Sequence, residues 1–141
     1  MSDSFAQLEP VLTDVGRKKS ILVIDDDEAQ TTTLDYRLSN QGFVVRTANR
    51  GSDGLQSAFE SPPDLLLLDL RLPDMEGFEV CSRLAGDPQT CEVPVIVVSA
   101  VERSDIVRRA RSAGCQYYLR KPYDPNVLLA LIERALSESD W

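Results

Sequence analysis

The chain has 141 residues, 43% of them hydrophobic, with 15 basic against 23 acidic side chains and a net charge of −8. That length fits one domain of about 100–200 residues with an ordinary core, and the negative charge opposes direct binding to nucleic acid or anionic membranes. Histidine is absent, which removes the usual general base, the commonest zinc ligand and any Ser-His-Asp triad.

Residues 1–19 stand apart as a leader. Phe5, Leu8, Leu12 and Val15 fall at three- and four-residue intervals before Gly16 and the basic run Arg17-Lys18-Lys19. The spacing allows a short amphipathic helix, but fewer than about 15 residues rarely stay helical alone in water, so a flexible leader is the expectation. No apolar stretch approaches the roughly 18 residues that cross a bilayer, and Met1-Ser2-Asp3-Ser4 lacks the pattern of a secretion signal, which predicts a cytoplasmic protein.

From residue 20 to 141 one domain is expected, built from alternating short apolar runs and longer stretches of helical period. Strands are predicted near 21–25, 43–47, 64–69, 93–98 and 116–120. The first helix begins at Asp27, whose carboxylate can cap it, buries Leu34 and Leu38, and stops before Gly42. Thr31 to Thr33 make it an indifferent helix former. The second follows Gly51-Ser52, buries Leu55, Ala58 and Phe59, and is halted by Ser61-Pro62-Pro63. The third runs from about Glu76 to Ala85. The fourth turns Ile106, Ala110 and Ala113 inward and leaves Arg103, Arg108, Arg109 and Arg111 largely outside, a basic surface on an acidic protein where a partner could dock. The last is capped by Asp124, carries Pro125 in its first turn, and has Val127, Leu128, Leu131, Ile132, Ala135 and Leu136 as its apolar stripe.

Cys81, Cys91 and Cys115 are odd in number and widely spaced, with no Cys-x-x-Cys pair. They argue against a disulfide framework and a zinc site, and are read as buried or half-buried reduced thiols.

The candidate reactive side chains share one position, the carboxyl end of a strand. Asp25 and Asp26 close Ile21-Leu22-Val23-Ile24, with Asp27 alongside; Asp69 closes Leu65-Leu66-Leu67-Leu68; Ser99 ends Val95-Ile96-Val97-Val98; Lys121 follows Tyr117-Tyr118-Leu119. Five β/α units predict an α/β fold, a flavodoxin-like (βα)5 three-layer sandwich with a parallel sheet of order 2-1-3-4-5, in which strands 1 and 3 are neighbours. Clustered carboxylates need positive charge, and an all-oxygen set suits Mg²⁺ or Mn²⁺ rather than zinc. With a cation and the Lys121 ammonium in place, Asp69 can attack phosphorus and become an acyl phosphate, and the Ser99 hydroxyl can bond a phosphoryl oxygen on it.

Four segments together, Ile21 to Asp27, Asp64 to Gly77, Val97-Val98-Ser99-Ala100 and Lys121-Pro122-Tyr123, resemble the receiver domain of two-component response regulators, over about Ser20 to Leu136. The resemblance implies that Asp69 accepts a phosphoryl group from a sensor histidine kinase or a histidine phosphotransfer protein. It further implies Mg²⁺ bound by Asp26 and Asp69 directly, by Asp25 mainly through water, and by the backbone carbonyl of Arg71. Lys121 matches the lysine that contacts the phosphate, with a cis bond to Pro122. Ser99 and Tyr118 match the switch residues that report phosphorylation to the face of helix 4, strand 5 and helix 5, where a downstream protein or a second copy of the chain would dock. Ala100 matches the small residue that leaves access to the phosphorylation site. Arg71 and Val101 stand where side chains tune the lifetime of the acyl phosphate. The Asp87-Pro88 loop resembles that of receivers in cell-cycle and diguanylate-cyclase regulators. A chain ending at Trp141 resembles a single-domain regulator or phosphorelay intermediate.

Two other classes compete. A haloacid dehalogenase-like metal-dependent phosphohydrolase also uses an aspartate nucleophile, but Arg71 stands where its Asp-x-Asp motif needs the second aspartate. A phosphorylation-independent interaction domain would keep the fold without the chemistry; Asp69 and Lys121 count against it.

Overall fold

The computed structural model describes residues 17–101 and 104–139. Most of the leader, Arg103 and Trp141 lie outside the described residues. The strands are β1 (Ser20–Ile24), β2 (Val44–Ala48), β3 (Leu65–Leu68), β4 (Val95–Ser99) and β5 (Tyr117–Arg120). The helices are α1 (Glu28–Asn40), α2 (Gly51–Glu60), α3 (Gly77–Ala85), α4 (Ile106–Ser112) and α5 (Pro125–Ser139). The five strands form one sheet of order β2-β1-β3-β4-β5, every pair parallel. This is the expected three-layer order, and the strands fall within two residues of their predicted limits.

Alternation along the central strands divides the core into two layers, because successive side chains in a strand point to opposite faces. Leu22, Ile24, Leu66, Leu68, Val95 and Val97 face α2, α3 and α4, where they meet Leu55, Ala58, Phe78, Cys81, Leu84, Ile106 and Ala110. Ile21, Val23, Leu65, Leu67, Ile96 and Val98 face α1 and α5, where they meet Leu34, Leu38, Leu128, Ile132, Ala135 and Leu136. The central runs are fully apolar because both faces are covered. Each fully buried leucine or isoleucine contributes about 1.5–3 kcal/mol of transfer free energy.

Several local expectations need correction. Val127 is 45% exposed; it sits about 100° round the helix from buried Leu128, on the flank of the stripe. Phe59 and Ala113 are only partly buried, packing at the margin of the first layer. Cys91 is exposed, whereas Cys81 is buried and Cys115 intermediate. Arg109 is not a free basic group: its guanidinium lies 4.7 Å from the centroid of the Phe78 ring and 3.7 Å from the Glu76 carboxylate.

Candidate functional site

Backbone pairing carries the sheet one step past the strand ends and sets the height of each site residue. The Asp25 N–H donates to the Ala48 carbonyl at 3.0 Å, the Asp69 N–H to Ile24 at 2.9 Å, and the Lys121 N–H to Ser99 at 3.0 Å. Asp25 and Asp69 therefore flank the β1–β3 seam side by side, with Ser99 and Lys121 on the next two strands.

The carboxylates are held by different donors on each oxygen. Asp25 Oδ1 accepts the Asp27 N–H at 3.0 Å and its Oδ2 accepts Lys121 Nζ at 2.8 Å. Asp69 Oδ1 accepts the Arg71 N–H at 2.9 Å and the Ser99 hydroxyl at 3.3 Å, while its Oδ2 accepts Lys121 Nζ at 2.8 Å. Asp25 and Asp69 are buried and Asp26 is exposed, and one carboxylate oxygen from each of the three lies within 4.8 Å of the others. This cluster is a set of hard oxygen donors of the kind that suits a divalent cation which keeps some of its waters.

Charge at the site is out of balance. Burial alone would lower the pKa of the Lys121 ammonium, but its hydrogen bonds to Asp25 and Asp69 outweigh that and hold it above its ordinary 10.5. Burial pushes the Asp25 carboxyl above its ordinary 3.8, helped by the Asp69 charge and opposed by Lys121 and the Asp27 N–H. Both shifts hold at once because one ammonium faces two carboxylates, and each carboxylate has only a share of it. A further positive charge between them would be stabilised.

Not every acidic residue joins the cluster. Asp27 caps α1, its Oδ1 accepting the Ala29 and Gln30 amides at 2.9 and 3.3 Å. Tyr118 stands one step away from the carboxylates and is joined to them through a chain of bonds. Ser99 Oγ, which donates to Asp69, accepts the Val101 N–H at 3.3 Å, and the Tyr118 hydroxyl donates to the Val101 carbonyl at 3.0 Å. Burial and the Asp69 charge raise the Tyr118 phenol above its ordinary 10.0. Arg71 meets the site through its N–H, with its side chain exposed, and the Lys121–Pro122 bond is cis.

The loop after Asp69 is closed by contacts of its own. Arg71 bridges to Glu76 and the Gly77 N–H donates to the Leu70 carbonyl at 3.0 Å. A Cβ on Gly77 would lie 2.7 Å from Leu70 Cα and 2.9 Å from the Asp69 carbonyl oxygen, so only glycine lets α3 start this close to the end of β3. Sequence reasoning missed Asn49, whose Nδ2 donates to the Asp25 carbonyl at 2.8 Å. The strand-end rule would have found it, because it directly follows the last residue of β2.

Residues 21–133 match the family described as the response regulator receiver domain. The chain belongs to that family. The receiver domain is 36% identical over 120 residues to the DNA-binding dual master transcriptional regulator RpaA of Synechocystis sp., covering 85% of this chain and 50% of RpaA. It is 38% identical over 113 residues to the response regulator PleD of Caulobacter vibrioides, covering 79% of this chain and 25% of PleD. The chain thus spans half or less of these two relatives. Among solved structures, a CheY-like response regulator receiver domain protein from Methanospirillum hungatei JF-1 superposes with a TM-score of 0.81 at 30% identity, over 88% of this chain and 98% of that one. Receiver domains of two-component response regulators have a phosphoryl-accepting signalling role. The haloacid dehalogenase alternative is not supported, in keeping with Arg71 in place of the second aspartate. Among the described residues no helix is long and apolar enough to cross a membrane.

Proposed function

We propose that Asp69 is the phosphoryl acceptor of this receiver domain and that a histidine of a sensor histidine kinase or a histidine phosphotransfer protein is the donor. The supporting observation is the pairing of a buried carboxylate with one ammonium: Lys121 Nζ lies 2.8 Å from both Asp69 Oδ2 and Asp25 Oδ2. In the transfer a carboxylate oxygen of Asp69 forms a bond to phosphorus, and the phosphorus–nitrogen bond of the donor breaks with its electron pair returning to the imidazole. Lys121 keeps its proton throughout and turns toward the incoming phosphoryl oxygens as charge leaves the carboxylate. The cycle consists of the domain's own phosphorylation and dephosphorylation, so the domain acts as a signalling element rather than as an enzyme on other substrates.

Asp25, Asp26 and Asp69, with the backbone carbonyl of Arg71, would hold Mg²⁺, or Mn²⁺ in its place. Bound there, the cation supplies neutralisation of charge on the phosphoryl oxygens. Ala100, small and exposed, leaves the approach to Asp69 open.

Readout follows from the bond chain described above. In the present state the Ser99 hydroxyl is spent on Asp69; a phosphoryl oxygen offers it a stronger, charged acceptor. Drawing Ser99 inward disturbs the Val101 amide that it accepts, and with it the carbonyl that holds Tyr118. The surface of α4, β5 and α5 thereby changes for a downstream protein or for a second copy of the chain, in the cytoplasm. The test is Mg²⁺-dependent phosphorylation by acetyl phosphate or phosphoramidate, read by intact mass. One phosphoryl group on the wild type and none on Asp69→Ala is expected; equal gain by both would overturn the assignment.

A further inference from the structure

The phosphoryl chemistry leaves one reactive pair unused. Cys81 lies on α3 and Cys115 between α4 and β5, 34 residues apart in sequence, with their Sγ atoms 3.3 Å apart. A disulfide bond is about 2.05 Å long, so bonding requires the sulfurs to close by little more than an ångström. The two thiols differ in access. Cys81 is 3% exposed within the core layer of α2, α3 and α4, while Cys115 is intermediate and packs at the margin of that layer. The hydrogen bond between them holds the Cys115 thiol below its ordinary 9.0 against the effect of burial. The same bond, together with burial, pushes Cys81 up. Cys91, exposed and with its sulfur 3.6 Å from the Pro88 carbonyl, is engaged elsewhere.

We propose that Cys81 and Cys115 form a dithiol that a peroxide converts into a disulfide, pinning α3 to the root of β5. Cys115 is the sulfur that reacts first, because it is the more accessible and the more readily ionised. Its thiolate attacks one oxygen of hydrogen peroxide, the O–O bond breaks, and the departing hydroxide takes up the proton that Cys115 had released, giving water and a sulfenic acid. The Cys81 sulfur then attacks the Cys115 sulfur, the S–O bond breaks, and the hydroxyl leaves as water with the Cys81 proton. Two thiols are oxidised by two electrons and one peroxide is reduced to two waters. The link would enter the fold two residues before Tyr117, the first residue of β5, and so restrain the strand that carries Tyr118. No atom of Asp69 takes part, so this inference is independent of the phosphoryl acceptor.

The test uses the full chain with Cys91→Ser, which removes the exposed thiol, treated with hydrogen peroxide and digested without reductant. The expected result is a loss of two hydrogen masses, a Cys81–Cys115 linked peptide, and reversal by dithiothreitol. Amide exchange over Tyr117–Arg120 should slow in the oxidised form. The Cys115→Ala variant in the same background should show no such loss, and alanine at that half-buried position spares the fold. Oxygen gain at Cys115 without a linked peptide, an unchanged mass, the same two-hydrogen loss in Cys115→Ala, or unaltered exchange in β5 would each overturn the proposal.

Discussion

The Asp74 carboxylate caps a helix to which it does not belong: its Oδ1 lies 2.8 Å from the Gly51 amide and its Oδ2 lies 2.9 Å from that of Ser52. Helix α2 has no side-chain cap of its own, since Arg50 precedes it. The loop after Asp69 therefore supplies the partner for the first orphan amides of the neighbouring helix.

This cap sets an acid limit. The Ser52 and Gly51 amides hold the Asp74 carboxyl down at about 2, against an ordinary 3.8. A depressed carboxyl stabilises the fold fully above its unfolded value and loses that contribution as pH falls through the folded one. Asp74→Ala should lower the urea midpoint at neutral pH. The gap to wild type should narrow from pH 3.8 down towards pH 2, as paired denaturation curves would show.

Lys121→Met should strand two buried carboxylates. Removing one partner of a buried ion pair costs about 3 kcal/mol, and Lys121 serves both Asp25 and Asp69. Adding Mg²⁺ should recover part of the loss, by about 1.4 kcal/mol at ten times its dissociation constant. In wild type the lysine contribution is present below pH 10.5 and disappears as pH rises through the higher folded value. Equal stabilisation of Lys121→Met and wild type by Mg²⁺ would argue against a shared charge deficit.

Gly77→Ala tests the tight closure of the loop after Asp69. The new methyl would meet backbone atoms of Leu70 and Asp69, which cannot yield as the end of a flexible side chain can. Overpacking of this kind costs about 1–3 kcal/mol. Calorimetry should register the loss, and acetyl phosphate labelling at Asp69 should slow because its carbonyl is displaced.

Ser99→Ala removes the link between Asp69 and the Val101 amide while leaving Lys121 in place. With beryllium trifluoride and Mg²⁺, the wild-type NMR resonances of Tyr118 and α4 should shift. In Ser99→Ala the mimic should still bind and the Tyr118 shift should be much reduced. A full Tyr118 response in that variant would remove Ser99 from the readout.

The strand ends were legible in the sequence because four-residue apolar runs stop abruptly at Asp25, Asp69 and Ser99, and a sheet buried on both faces demands such runs. The order of the strands followed from the number of β/α units and the position of the aspartates. Asp27 was legible as a helix cap, which its bonds to the Ala29 and Gln30 amides bear out, but whether it also joined the neighbouring carboxylates was settled only by geometry, which leaves it out of their cluster. Asp74 and Gly54 carried no readable signal. Their partners are distant in sequence: Asp74 meets Gly51, and a Cβ on Gly54 would lie 2.2 Å from Ile24 Cδ1, where α2 presses on β1. The Cys81 and Cys115 contact was hidden for the same reason, since spacing along the chain says nothing about sulfurs that only tertiary packing brings together.

Lys121 belongs to the last β/α unit, yet its ammonium completes a site begun by Asp25 in the first. A ribosome-bound chain that has exposed Asp69 but still holds β5 in the exit tunnel lacks the cation that its two buried carboxylates require. The chemistry proposed for Asp69 is therefore gated on the folding of β5, because a receiver domain lacking its fifth β/α unit would keep both acids without the ammonium that balances them.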